Sequence, residues 1–282
     1  MTTAEATTAT RLAGRFRERY ETASAKHNSL LCVGLDPDPK AMPLGVSVRD
    51  FLIGIIEATS DLVCCYKPNI AFFEQHGAEG WTALQDVIAA VPDDIPVLLD
   101  AKRGDVGHTS AAYARAIYER LGVDAVTLNP YLGIDALEPF IAYADRFAFI
   151  LCRTSNPSAG DLQDLMAGDL RIYERIAELA REWNHAGNVG LVVGATYPEE
   201  AARIRAICPD QLFLLPGVGA QAADIEAAVR ASLDRNGGGI LVSASRGVLY
   251  AQPVENGCAV GGWAEAARDA ARGLRDAINA AR

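Results

Sequence analysis

The sequence predicts an α/β fold, a single (β/α)8 TIM barrel with an extra N-terminal helix, and three observations carry that expectation. Eight short apolar runs are spread along the 282 residues, segments of helical periodicity separate them, and the residues that close each run are unusually polar. Near-continuous apolar strands alternating with amphipathic helices indicate a parallel sheet covered on its outside. Eight such repeats close a barrel.

The runs occupy 30–35, 63–66, 97–99, 125–128, 147–152, 189–193, 212–215 and 240–242. Each is too short for a core helix. Ahead of the first, Leu12, Phe16 and Tyr20 recur every four residues, which defines a helical extension over 1–28 before a barrel over 29–282. Trp81, Leu84, Val87 and Ile88 mark the helix before the third run, and Ala112, Ala116 and Ile117 the one ahead of Leu121. Trp263, Ala266, Ala267, Ala270, Leu274 and Ile278 give the final helix its apolar stripe. No low-complexity linker divides the chain, so one domain is expected.

Half of the residues are apolar and 22% are charged, the balance of an ordinary globular protein. The net charge of −10 disfavours a nucleic-acid partner, which calls for a basic face. There is no continuous apolar leader at the N-terminus and no charge-free apolar stretch of membrane-spanning length. A soluble cytoplasmic protein is expected. Cysteines at 32, 64, 65, 152, 208 and 258 form no C-x-x-C pair and mostly sit in apolar runs, as small core residues in a reducing compartment. The four histidines are scattered without metal-ligand spacing, so no metal site is expected.

The third run leads into Asp100, Lys102 and Asp105 within PVLLDAKRGDVGHT. Strand residues at i and i+2 share a face, so Asp100 and Lys102 project together, and Asp105 is expected to return from the following loop. Two carboxylates would then bracket one ammonium. Such neighbours keep a lysine protonated, which suits a proton donor and argues against an amine nucleophile. On local grounds a structural ion pair is an equal alternative.

The other run ends add Asp36, Lys67, Asn69, Thr127, Asn129, Arg153, Thr154 and Ser155. After the seventh run come Gly217, Gly219 and Gln221, and after the eighth Ser243, Ser245, Arg246 and Gly247. In these barrels the loops after strands seven and eight often hold a phosphate. Glycines admit a close backbone approach, and Arg246 offers a fork of donors matched to phosphate oxygens. Residues 156–170, rich in Gly, Asp and Ser, form either part of a mobile lid or a plain surface excursion.

The segments GLDPD, YKPN, DAKRGDVGHT, TSNPS, PGVGAQ and SASRG, in that order over 30–250, resemble the orotidine 5′-phosphate decarboxylase family, in its second, longer-chain bacterial branch. The resemblance implies cofactor-free conversion of orotidine 5′-phosphate to uridine 5′-phosphate and carbon dioxide in de novo pyrimidine synthesis. It assigns ribose contacts to Asp36, a charged chain to Lys67 and Asp100, and protonation of C6 to Lys102. It further implies a homodimer, with Asp105 and Thr109 reaching into the neighbouring subunit's site. Ser155 matches the family's pyrimidine-contacting serine and Arg246 its phosphate-binding arginine. Gln221 is assigned to the phosphate-closing loop, where many members carry an arginine soon after the Pro-Gly. A related barrel using a similar Asp-x-Lys-x-x-Asp element with magnesium on sugar phosphates, and a nucleotide-binding barrel without turnover, are the alternatives.

Overall fold

A computed structural model describes residues 15–217, 222–251, 254–255, 258–259 and 262–282. Eight parallel strands form the barrel: β1 (Leu31–Leu35), β2 (Cys65–Pro68), β3 (Leu98–Arg103), β4 (Ala125–Leu128), β5 (Phe147–Arg153), β6 (Val189–Val193), β7 (Phe213–Pro216) and β8 (Ile240–Ala244). Their order runs β2-β1-β8-β7-β6-β5-β4-β3. The ring closes between β2 and β3 through bridges pairing Tyr66 with Val97 and Asn69 with Asp100. β1, β4, β6 and β8 are buried along their whole length, with packed side chains inside and helices outside. That double burial explains their largely apolar character, broken only by Thr127 in β4 and Ser243 in β8.

Helices α1 (Phe16–His27), α2 (Val48–Thr59), α3 (Gly77–Ala90), α4 (Gly107–Ala114), α5 (Ile172–Trp183), α6 (Pro198–Ile207), α7 (Ala222–Ser232) and α8 (Trp263–Ala280) make up the longer helical elements. The expected alternation fails once. Between β4 and β5 there is no full helix, only single turns at Pro130–Leu132, Ile134–Ala136 and Glu138–Ile141. Pro130, the positive φ of Gly133 (+88°) and Pro139 interrupt any longer helix there. Trp81 also departs from its expected place: Leu84, Val87 and Ile88 take the buried face of α3, and Trp81 is left 37% exposed. On α8 the fully buried positions are Ala267, Ala271 and Ile278, and Trp263 packs its ring 5.0 Å from Phe51.

The extra helix has a defined task. Phe16 lies 5.0 Å from the Phe147 ring and 5.7 Å from Phe149, and the Tyr20 hydroxyl donates to the Ile240 carbonyl at 2.8 Å. Arg19, which the apolar stripe gave no reason to bury, pairs with Asp124 and donates to the Asp93 carbonyl at 2.6 Å. Asp124 in turn accepts the Val97 N–H at 2.8 Å. These partners all lie at or just before the N-terminal ends of strands, so α1 covers the floor of the barrel and leaves the opposite mouth open. Leu12 lies outside the described residues.

The Arg19 and Asp124 side chains are only 7% and 4% exposed, so removing one partner strands the other's charge in the interior. Asp124→Ala is expected to lower the unfolding free energy in urea by about 3–5 kcal/mol. A loss below about 1 kcal/mol would show that the pair does not hold the floor.

Candidate active site

Asp100 is the centre of the charged cluster at the mouth. Its Oδ1 accepts from Lys102 Nζ at 2.7 Å and from the Thr127 hydroxyl at 2.8 Å. Its Oδ2 accepts from Lys67 Nζ at 3.4 Å and Asn69 Nδ2 at 3.3 Å. Lys102 arrives there by a route that simple strand alternation does not describe. The β3–β4 register shifts between Leu99 and Arg103, and Lys102 has φ +47°. The Ala101 and Lys102 N–H groups, displaced from the regular ladder, donate to Thr127 Oγ1 at 3.0 and 2.9 Å.

The expected bracket of two carboxylates around one ammonium is not what a single chain forms. Asp105 Oδ1 accepts the N–H of its neighbour Val106 at 2.7 Å, and the Ser110 hydroxyl both accepts from the Asp105 N–H and donates to its carbonyl. The loop thus folds on itself and holds Asp105 away from Lys102. What forms instead is the reverse: one carboxylate between two ammoniums. Thr109 sits in the first turn of α4, where Ser110 supplies the local hydrogen bonds and Thr109 does not line the cavity.

The electrostatics follow from burial and proximity. Burial alone would lower the Lys67 pKa, but the Asp36 and Asp100 carboxylates outweigh it and hold Lys67 above the ordinary lysine range. Burial alone would likewise raise Asp100, yet Lys67 and Lys102 bring its carboxyl below the usual value. Asp100 therefore contributes stability in full above about pH 4, the unfolded carboxyl value, and that contribution is lost as pH falls through its lower folded pKa.

A cavity of about 910 Å³ opens beside this cluster, with Lys67 and Asp100 in its wall. Asp36, Ser155, Gly217 and Arg246 also line it. Asp36 Oδ1 is buried without a hydrogen-bond partner among the described residues. Its backbone is fixed by Tyr250, whose hydroxyl donates to the Asp36 carbonyl at 3.2 Å and accepts the Asp38 N–H at 2.5 Å. Gly217 has φ +89°, and a Cβ there would stand 3.0 Å from the Ser155 Cβ, so this glycine leaves room for the serine. A side chain at Gly34 would collide with Ser245 in the same way. Arg246 is exposed on the cavity rim and forms no ion pair among the described residues. Gly219 and Gln221 lie outside the described residues.

The excursion after β5 is tied down. Gln163 accepts the Thr154 N–H at 2.9 Å and donates to the Thr154 hydroxyl at 2.7 Å, and Arg153 reaches Gln163 and Asp164. Sequence reasoning marks Thr127 and Asn69 as polar strand ends but assigns them no role, and it does not mark Tyr250. Thr127 and Asn69 carried a signal, since both are polar groups at strand ends. Tyr250 carried none. A second cavity, of about 340 Å³, lies at the barrel floor among residues of α1 and the β5 and β6 starts, remote from the charged cluster.

A sequence profile of the Orotidine 5′-phosphate decarboxylase / HUMPS family matches residues 29–258. The chain is 55% identical over 273 residues to an orotidine 5′-phosphate decarboxylase of Roseiflexus castenholzii, covering 94% of this chain and 98% of the relative. It is 52% identical over 272 residues to that of Thermomicrobium roseum, covering 93% and 94%. Among solved structures, the OMP decarboxylase of Leishmania donovani superposes with a TM-score of 0.84 at 43% identity, covering 95% of this chain and 98% of the other. With eight parallel strands, a charged cluster at their C-terminal ends and these relatives over nearly its full length, the chain belongs to the orotidine 5′-phosphate decarboxylase / HUMPS family.

Proposed function

We propose that this protein decarboxylates orotidine 5′-phosphate to uridine 5′-phosphate in pyrimidine synthesis, with Lys102 as electrostatic stabiliser and proton donor. The relatives named for that reaction support the activity. The observation that carries the mechanism is the Lys102 ammonium held 2.7 Å from a carboxylate in the cavity wall. Breaking the bond between C6 and the carboxylate carbon leaves an electron pair in the ring plane, where the π system cannot spread it. A fixed cation beside C6 meets that charge without reorganising. Carbon dioxide departs, one Lys102 N–H proton passes to C6, and the amine regains a proton from solvent. Lys67 and Asp100 keep the ammonium in place. No metal or organic cofactor enters this scheme.

The remaining residues bind. Asp36, in the cavity wall, accepts from a ribose hydroxyl. Ser155 contacts the pyrimidine, and Arg246 with Gly217, Gly219 and Gln221 holds the phosphate. Energy from a phosphate remote from C6 serves to order loops and expel water. Five buried, unpaired cysteines among the described residues favour a reducing cytoplasmic setting, and no described helix is long and apolar enough to cross a membrane.

The proposal includes a homodimer in which Asp105 and Thr109 complete the neighbouring site. Val106 beside Asp105, and Tyr131, Leu132 and Ile134 on the turns next to the helix that carries Thr109, are exposed apolar side chains of the kind that marks an interface. Across a two-fold axis, Asp105 would supply the second carboxylate that Lys102 lacks within its own chain.

Consumption of orotidine 5′-phosphate, followed by ultraviolet absorbance, tests the mechanism. Lys102→Ala is expected to lose roughly 10³-fold or more in kcat, and Arg246→Ala to raise KM and slow turnover with the fold intact. A rate near wild type for Lys102→Ala would refute the assignment. Mixing Lys102→Ala with Asp105→Ala tests the shared site: re-assorted dimers should recover about one quarter of wild-type activity, because one site in each mixed dimer is whole. No recovery after proven subunit exchange would place Asp105 outside the partner's site.

A further inference from the structure

We propose that Thr127 is the positioning residue that holds the Lys102 ammonium in its working place; this rests on the reading that Lys102 carries the reaction. Thr127 is 1% exposed and its hydroxyl is used to capacity. It donates to Asp100 Oδ1 at 2.8 Å and accepts two consecutive backbone N–H groups, from Ala101 at 3.0 Å and from Lys102 at 2.9 Å.

Those two amides lie where the β3–β4 ladder is interrupted, and Lys102 there has a left-handed φ of +47°. Non-glycine residues rarely adopt that conformation unless their surroundings impose it. A single oxygen that collects both N–H groups imposes it here. The bond to Asp100 does a second job: it turns Oδ1 toward Lys102 and leaves Oδ2 for Lys67 and Asn69. Backbone and counter-ion of Lys102 are thus fixed from one hydroxyl on the adjacent strand. Without it, two amides at the kink of β3 lose their acceptor, the backbone is free to relax toward extended geometry, and the ammonium leaves Asp100. Thr127 touches no substrate in this account and lies outside the cavity wall.

Valine keeps the shape of threonine and removes the hydroxyl, whereas serine keeps the hydroxyl and removes the methyl. Steady-state kinetics on orotidine 5′-phosphate, with melting curves and calorimetric binding of uridine 5′-phosphate, separate the two. Thr127→Val is expected to lower kcat about 100-fold, the scale of a displaced catalytic group, with KM and product affinity within about threefold of wild type. Thr127→Ser is expected to stay within about fivefold in kcat. If the valine variant does not fold, Thr127→Ala is measured against the same criterion. A valine or alanine variant within twofold of wild type, or a serine variant as impaired as valine, would overturn the proposal. Lys102→Ala run in parallel keeps the two readings apart. If it is inactive while Thr127→Val is not, the positioning role alone fails; if Lys102→Ala itself turns over normally, the underlying mechanism fails.

Discussion

A single carboxylate, Asp100, holds the mouth of this barrel together. It is 11% exposed, and two lysines and two neutral donors converge on its two oxygens. A unit charge pair about 4 Å apart is worth about 4 kcal/mol at an effective dielectric near 20, enough to offset burial of a paired group. The pair with buried Lys67 lies nearer that figure than the pair with half-exposed Lys102, which water screens. This asymmetry divides the labour: Lys67 anchors the carboxylate from within the wall, and the carboxylate presents Lys102 at the rim. Asp36 adds a second carboxylate to the same wall, so the cluster itself is close to neutral and Arg246 on the rim is the cation left over for an anionic substrate, against an overall charge of −10.

The barrel makes that arrangement rigid. Its floor is sealed by α1 through aromatic packing and the Arg19–Asp124 pair, so the strands that present Lys67, Asp100 and Thr127 are fixed from below. At the mouth, β2 and β3 meet only through isolated bridges, and one of these joins Asn69 to Asp100. The seam of the barrel therefore coincides with the charged cluster. Regular ladder bonds give way there to side-chain bonds from Asn69 and Thr127, which lets charged side chains occupy positions that regular strand pairing would turn elsewhere.

Much of this was legible in the sequence because burial on both faces leaves a one-dimensional trace. Every one of the eight strands overlaps its apolar run, although β2 shares only Cys65 and Tyr66 with the run over 63–66. β3 extends four residues past its run, to Arg103, since the continuation is polar and carries the site. The missing helix before β5 escaped because apolar periodicity does not weigh three separated turn-formers against a helix. Lys102 was placed beside Asp100 by strand alternation, and the proximity holds, but the backbone reaches it through a left-handed kink that no pattern of residue types encodes. Asp105 departs from its expected place beside Lys102 for a related reason: whether a loop returns or folds on itself is decided by Ser110, five residues on. Thr127 is invisible as a partner of Lys102 because 25 residues separate them.

The claim that Asp100 governs the cluster is tested most directly by NMR titration of side-chain amines, which four lysines in the whole sequence make simple to assign. In the wild-type protein Lys67 should titrate above the ordinary lysine value of about 10.4 despite its burial, and Asp100→Asn should move it downward. A Lys67 that titrates at or below the ordinary value, or that Asp100→Asn leaves unmoved, would contradict the account.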